Sequence, residues 1–255
     1  LLELFEERGD SAKWEGREVV ALHRVGRNQG VGAYAEMGAI PQAGRQSYVN
    51  SRIPMRYLSG RLQLSAQVII QSQSSQAAFV RASSSEIAGL VRDLRSELAR
   101  MICYDGRGVL ARVNGTATST TITGDSPGGV AGATNGSRVI NTSARLTFVT
   151  PATGAITSST DHTVASVPAA GTTYTAGSVT STDNNYVVRA HKAALTDVSD
   201  TSYAKEPMGL LGLVDDATYV ATLHGVNRTT YPLWNAHVIA SVGAMDEDDS
   251  AMSLA

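Results

Sequence analysis

The chain has 255 residues, 42 % of them hydrophobic and 5 % aromatic. That is enough to bury a core in one large domain or two modest ones, and it excludes a disordered chain. The net charge of −2 hides a split: residues 8–113 carry 15 basic side chains against 8 acidic, and residues 114–255 carry 6 against 12.

The single cysteine, Cys103, excludes an intrachain disulfide scaffold and reads as a small buried hydrophobe. No apolar run reaches the ~18 residues of a membrane span, and no signal peptide is visible, so the expectation is cytoplasmic production. The chain opens at Leu1 without an initiator methionine and stops at Ala255, just inside what reads as a helix start after the acidic run Asp246–Asp249. Both ends are therefore expected to be cut. The acids are expected to favour the positive end of that helix dipole.

Residues 1–16 read as a short charged arm. Residues 17–70 read as a long β-hairpin. Its first limb runs from Arg17 to Val25, and its tip holds Gly26, Gly30, Gly32, Gly38 and Gly44. The second limb runs from Ser47 to Ile70, where Leu62, Leu64, Ala66 and Val68 alternate with Arg61, Gln63, Ser65 and Gln67. Pro54 argues against a central strand there. Such a hairpin cannot bury both faces by itself and needs a surface to lie on.

Residues 74–103 read as one long amphipathic helix, capped by Ser74 or Ser75 and ended by Gly106 and Gly108. Its expected core stripe is Phe79, Ile87, Leu90, Leu94, Leu98 and Ile102, with Arg81, Arg92, Arg95 and Arg100 opposite. A short strand follows at 107–113, then the turn signal Asn114-Gly115. Residues 116–201 are rich in Thr, Ser, Gly and Ala, with β-prone runs at 145–149, 163–167 and 186–190. The turn signals Asn135-Gly136, Thr153-Gly154 and Asp183-Asn184 punctuate them. This stretch reads as an all-β insertion, a small sandwich or barrel on the outer surface. Residues 203–255 form a return segment.

No metal spacing, nucleophile elbow or phosphate loop is present, and His23, His162, His191, His224 and His237 read as surface or packed residues. No catalytic residue, metal or cofactor is therefore expected. The tyrosines Tyr34, Tyr48 and Tyr57 stand among arginines, which makes base stacking conceivable, but on no recognisable nucleic-acid module.

The order of elements is more specific. Glu36, Ile40-Pro41-x-x-Gly44 and Gln46-Ser47-Tyr48 precede Leu62-x-Leu64-Ser65, then the helix to Tyr104-Asp105-Gly106 and the strand Gly108-Val109-Leu110-Ala111-Arg112-Val113. Later comes Gly225-Val226-x-Arg228-x-x-Tyr231-Pro232-x-Trp234. This resembles the major capsid proteins of tailed double-stranded DNA phages with the Hong Kong 97-like fold.

The resemblance implies an α+β chain in five parts: an N-terminal arm (1–16), an extended loop lying over a neighbour (17–70), a spine helix with a peripheral-domain strand (71–115), a β-rich insertion or axial region (116–202) and a return segment towards C-terminal helices missing here (203–255). It implies a structural, non-enzymatic subunit of the virion. Copies would assemble as pentamers and hexamers into an icosahedral shell around non-specifically held DNA, with portal, scaffold or decoration proteins as further partners and no membrane.

The expected inter-subunit contacts are Arg24, Arg27, Arg45, Arg52, Arg56 and Tyr48, meeting acids of the C-terminal half. The hairpin holds no lysine, so a lysine cross-link from it is not expected. The alternatives are an encapsulin-type compartment, a β-rich adhesin or tail module, and a nucleic-acid-binding protein using the basic half.

Overall fold

The computed structural model describes residues 17–63, 76–127, 136–218 and 220–237, with the side chains of 76–82 excepted. The arm at 1–16, the second-limb residues 64–70, the helix caps Ser74 and Ser75, the side chain of Phe79 and the acidic run at 246–249 lie outside what is described. The chain forms two compact units. One is Arg56–Leu210; the other combines the stretches 17–55 and 211–237.

In the first unit, alternating β-branched residues build six strands: β3 (Val109–Val113), β4 (Ala117–Asp125), β5 (Arg145–Val149), β6 (His162–Thr163), β7 (Thr173–Ser181) and β8 (Tyr186–Arg189). They hydrogen-bond in the order β6-β5-β8-β3-β4-β7, antiparallel throughout. The two ends of that order nearly meet. Thr175 donates its backbone N–H to Ser166, and Ala165 donates to Thr175, at 2.9 and 2.8 Å. The sheet thus curls into a near-barrel around Ala111, Val113, Ile122, Leu146, Phe148, Val164, Tyr174 and Val187, all buried. Successive side chains of a strand point to opposite faces. Val149 and Val188 accordingly pack on the other face, joined by Val109 from beyond the register shift between Val109 and Ala111, with Ile156, Tyr186 and Tyr203.

The helix α1 (Gln76–Cys103) precedes β3. Two glycines then turn the chain into the sheet in the left-handed region, Gly106 at φ 76° and Gly108 at φ 73°. A side chain at Gly108 would also collide with the Ser202 carbonyl, its Cβ falling 2.4 Å from that oxygen.

The second unit holds the hairpin of β1 (Glu18–Gly26) and β2 (Ser47–Pro54), and the small hairpin of β9 (Thr222–Leu223) and β10 (Val226–Asn227). The link between β9 and β10 is His224-Gly225, with φ of 51° and 82°, the doubly left-handed geometry of a tight two-residue turn.

These observations overturn the expected fold class. Among the described residues the protein is mostly β, 32 % strand against 16 % helix, with the α-helices Gln76–Cys103 and Leu210–Leu213 and a near-barrel sheet; it is not an α+β Hong Kong 97-like fold organised on a long spine helix. The physical reason lies in where burial falls. The fully buried side chains of the first unit belong to the sheet, whereas the α1 stripe stays partly wet: Ile87 is 52 % exposed, and Leu90, Leu94, Leu98 and Ile102 are half-buried. The helix packs beside the core instead of forming it.

Three local expectations also change. Among the described residues the strand of the second limb ends at Pro54; Met55 still donates its N–H to the Arg17 carbonyl at 3.0 Å, and 55–63 are irregular and not strand. The strand after α1 does not belong apart from the β-rich stretch, since β3 lies inside its sheet between β8 and β4. Cys103 is exposed, because it falls on the side of the last α1 turn away from the buried Met101.

Candidate functional site

The β1–β2 hairpin divides its residues cleanly between two faces. Directly opposed residues of an antiparallel pair share a face. Val19, Ala21 and His23 oppose Ile53, Ser51 and Val49; Val20, Leu22 and Arg24 oppose Arg52, Asn50 and Tyr48.

The first face is tied to its own unit. Ser51 is buried and lies 2.8 Å from His23 Nε2. The His23 ring meets the Trp234 indole edge-on, with centroids 4.5 Å apart. Arg52 donates its backbone N–H to the His224 carbonyl at 2.7 Å, joining β2 to the tight turn between β9 and β10.

The second face is bare. Val20 and Leu22 are 52 % and 66 % exposed, and Tyr48 is 53 % exposed. Arg24 and Arg52 border them, with Arg52 donating to Glu18 at 2.6 Å across the strands. Tyr48 donates its hydroxyl to Gln46 at 2.5 Å. Beyond the strands, the tip from 27 to 46 contains no strand or helix and exposes Val31, Tyr34, Met37 and Ile40. Four large apolar side chains on a loop, continuous with the bare hairpin face, exceed the scattered single exposures of an ordinary surface.

Of the six side chains expected at inter-subunit contacts, the hairpin brings together Arg24, Tyr48 and Arg52 on this face. Arg27 and Arg45 are exposed at the two roots of the tip. Arg56 belongs to the other unit.

Within that other unit a groove of about 670 Å³ runs along α1. Leu58, Leu90, Leu94, Leu98 and Met101 make its apolar wall. Three residues of the helix stripe expected to be core, Leu90, Leu94 and Leu98, are therefore groove lining. Gly60 leaves room for Leu90, since a Cβ there would fall 2.8 Å from the Leu90 side chain.

One end of the groove is ionic. Glu97 accepts from Arg100 at 3.1 Å and also from Arg189, and Arg100 reaches the buried Glu206. Burial pushes the Glu206 carboxyl up, and the adjacent Arg100 guanidinium opposes this. Each arginine thus has an acid partner, as charges so far from water require. The sequence reading did not find this cluster. Glu97 and Arg100 share an α1 turn, but Arg189 and Glu206 come from remote segments, and no local spacing announces them. Among the described residues no group of three or more potential ligands could hold a metal ion.

Comparison with protein-family profiles, curated proteins and solved structures finds no match to this chain.

Proposed function

We propose that this chain is the repeating subunit of a self-assembling protein shell, the major capsid subunit of a tailed double-stranded DNA phage, working by contact between copies. The observation that carries this reading is the bare hairpin face. Val20, Leu22 and Tyr48 continue into Val31, Tyr34, Met37 and Ile40 at the tip, all exposed. Leaving that much apolar surface in water is unfavourable, and covering it by a neighbour recovers roughly 25 cal/mol per Å². Arg24, Arg27, Arg45 and Arg52 border the same surface, and the C-terminal part of the chain carries the excess of acids. Such pairs add little affinity singly but fix orientation. The ordered resemblance of the hairpin, helix and Gly225–Trp234 segments to phage capsid proteins supplies the choice of shell.

Negative-stain microscopy with analytical sedimentation of the purified full chain tests this. Closed particles of uniform size are the expected result. A stable monomer across salt, pH and crowding conditions would remove the proposal, and open fibres would favour an adhesin or tail module. Shells that retain a protein cargo and no DNA would point to an encapsulin-type compartment.

A further inference from the structure

A second surface is built for pairing by backbone. Strand β4 has a neighbour on only part of its length. On the side of β3 it pairs at Asp125 and Gly124, and Thr123 accepts from Asn114 N–H at 2.9 Å. From Thr121 back to Ala117 that side has no strand beside it among the described residues. The opposite side is taken by β7, from Ala117↔Ser181 to Thr123↔Thr173.

The hydrogen bonds settle which groups are left over. Gly124 donates to Thr172 on the β7 side, whereas Thr123 accepts on the β3 side. Peptide groups alternate along a strand, so those of Thr121 and Ser119 also turn to the open side, while the Ala117 carbonyl accepts from the Ser181 hydroxyl of β7 at 3.2 Å. One of them, the Thr121 N–H, is held locally by the Ser119 hydroxyl at 3.0 Å.

Proteins ordinarily blunt such an edge with lysine, proline, inward charge or a bulge. The ribbon does bulge, but on β7: Ser119 opposes Val179 and Thr121 opposes Thr175, leaving the extra residues on β7 and β4 regular. No charged residue or proline occurs in 116–124 or 172–182. Ala117, Thr118, Thr120 and Thr121 are exposed.

We propose that the β4 edge pairs with the β4 edge of a second copy, antiparallel about a two-fold axis at Ser119, joining two six-stranded sheets. In that register Ser119 faces its own counterpart, Thr118 faces Thr120, and Ala117 faces Thr121. An edge without charge can meet itself without repulsion, and threonine pairs across strands are favourable. The affinity comes from main-chain hydrogen bonds, the mode of strand addition. A second copy is chosen because of this neutrality and because it fits the assembly reading; the edge itself is argued independently of that reading.

The test uses the full chain with Cys103→Ser, so that no native thiol interferes. Opposed residues in a hydrogen-bonded pair lie about 5.5 Å apart between Cα atoms, within disulfide reach. Ser119→Cys is expected to give disulfide-linked dimers on mild oxidation, and Thr180→Cys, on β7, is not. The double change Thr118→Lys with Thr120→Lys puts lysines opposite each other twice. It is expected to weaken self-association about tenfold in sedimentation, with an unchanged melting temperature.

Absence of Ser119→Cys dimers above the Thr180→Cys level, or self-association indifferent to the two lysines, overturns the proposal. A heterologous protein covering the edge would give both of those results. Dimers through Ser119 in a chain that never forms shells would remove the shell reading and keep this one; shells without that cross-link would do the reverse.

Discussion

Arg228 and Asp215 form an ion pair at 3.0 Å with both side chains withdrawn from water, 0 % and 2 % exposed. The guanidinium also donates to the carbonyls of Val220, Gly212 and Leu213 at 2.9–3.0 Å, and Asp215 accepts the Val220 N–H at 2.8 Å. One planar fork thereby ties three chain segments, 212–215, 220 and 228, into the base on which the hairpin rests through Arg52 and His224.

Removing one partner of a buried pair strands the other's charge. Arg228→Met is therefore expected to destabilise the unit made of 17–55 and 211–237 by about 3–5 kcal/mol. Arg228→Lys should also lose stability, because an ammonium cannot serve the same fork. Denaturant unfolding followed with hydrogen exchange at 211–228 reads this. Unchanged protection in Arg228→Met would mean the fork is dispensable.

His162 gives a pH prediction. It is buried between Phe148 and Tyr174, its Nε2 lies 3.1 Å from the Tyr174 hydroxyl, and burial pushes its pKa down to about 4, against a weak opposing pull from Asp161. The folded state thus holds the ring neutral while the unfolded chain binds a proton near pH 6.5. Stability from this group is full above about pH 6.5 and is lost as pH falls from there towards 4, by roughly 3 kcal/mol at most. His162→Phe should flatten the melting temperature between pH 7 and 4.5. A slope as steep as that of the parent chain would assign the acid sensitivity elsewhere.

Leu94 lines the groove and is only half-buried. Leu94→Ala is accordingly expected to cost about 1–2 kcal/mol, below the range for a fully enclosed leucine. A loss of 4 kcal/mol in urea unfolding would show that this wall is fully packed in solution.

The bare hairpin face predicts a separation of folding from assembly. Arg45→Glu with Arg52→Glu should leave the melting temperature within about 1 °C, since both side chains are exposed and the Arg52–Glu18 pair is a surface one. Particle yield should fall. In hydrogen exchange, residues 26–46 should be unprotected in the free chain and protected in particles. Equal protection in both states would remove the hairpin's inter-subunit role.

The residues that announced themselves in the sequence did so through local rules. Alternation and glycine placement marked the hairpin, and among the described residues its strands are β1 and Ser47–Pro54, the first third of the expected second limb. The three-and-four spacing from Ile87 to Ile102 marked a helix at Gln76–Cys103. Glycine and asparagine marked turns, with Gly154 and Asn184 both at φ 67°.

What the sequence left open was every choice that depends on distant partners. A five-residue strand such as Val109–Val113 has the same pattern whether it stands alone or lies between β8 and β4. Its placement was decided by pairing with β4 on one side and, on the other, with β8 more than 70 positions away, and with it the mostly β architecture. The α1 stripe reads as core because periodicity reports which face is apolar, not how much of it is covered. Arg228 stood out only as one position of the Gly225–Trp234 segment, because its acid and three carbonyls converge only in the folded chain. Periodicity is a property of neighbours in sequence, whereas burial and charge pairing are properties of neighbours in space, and only the tertiary structure supplies those.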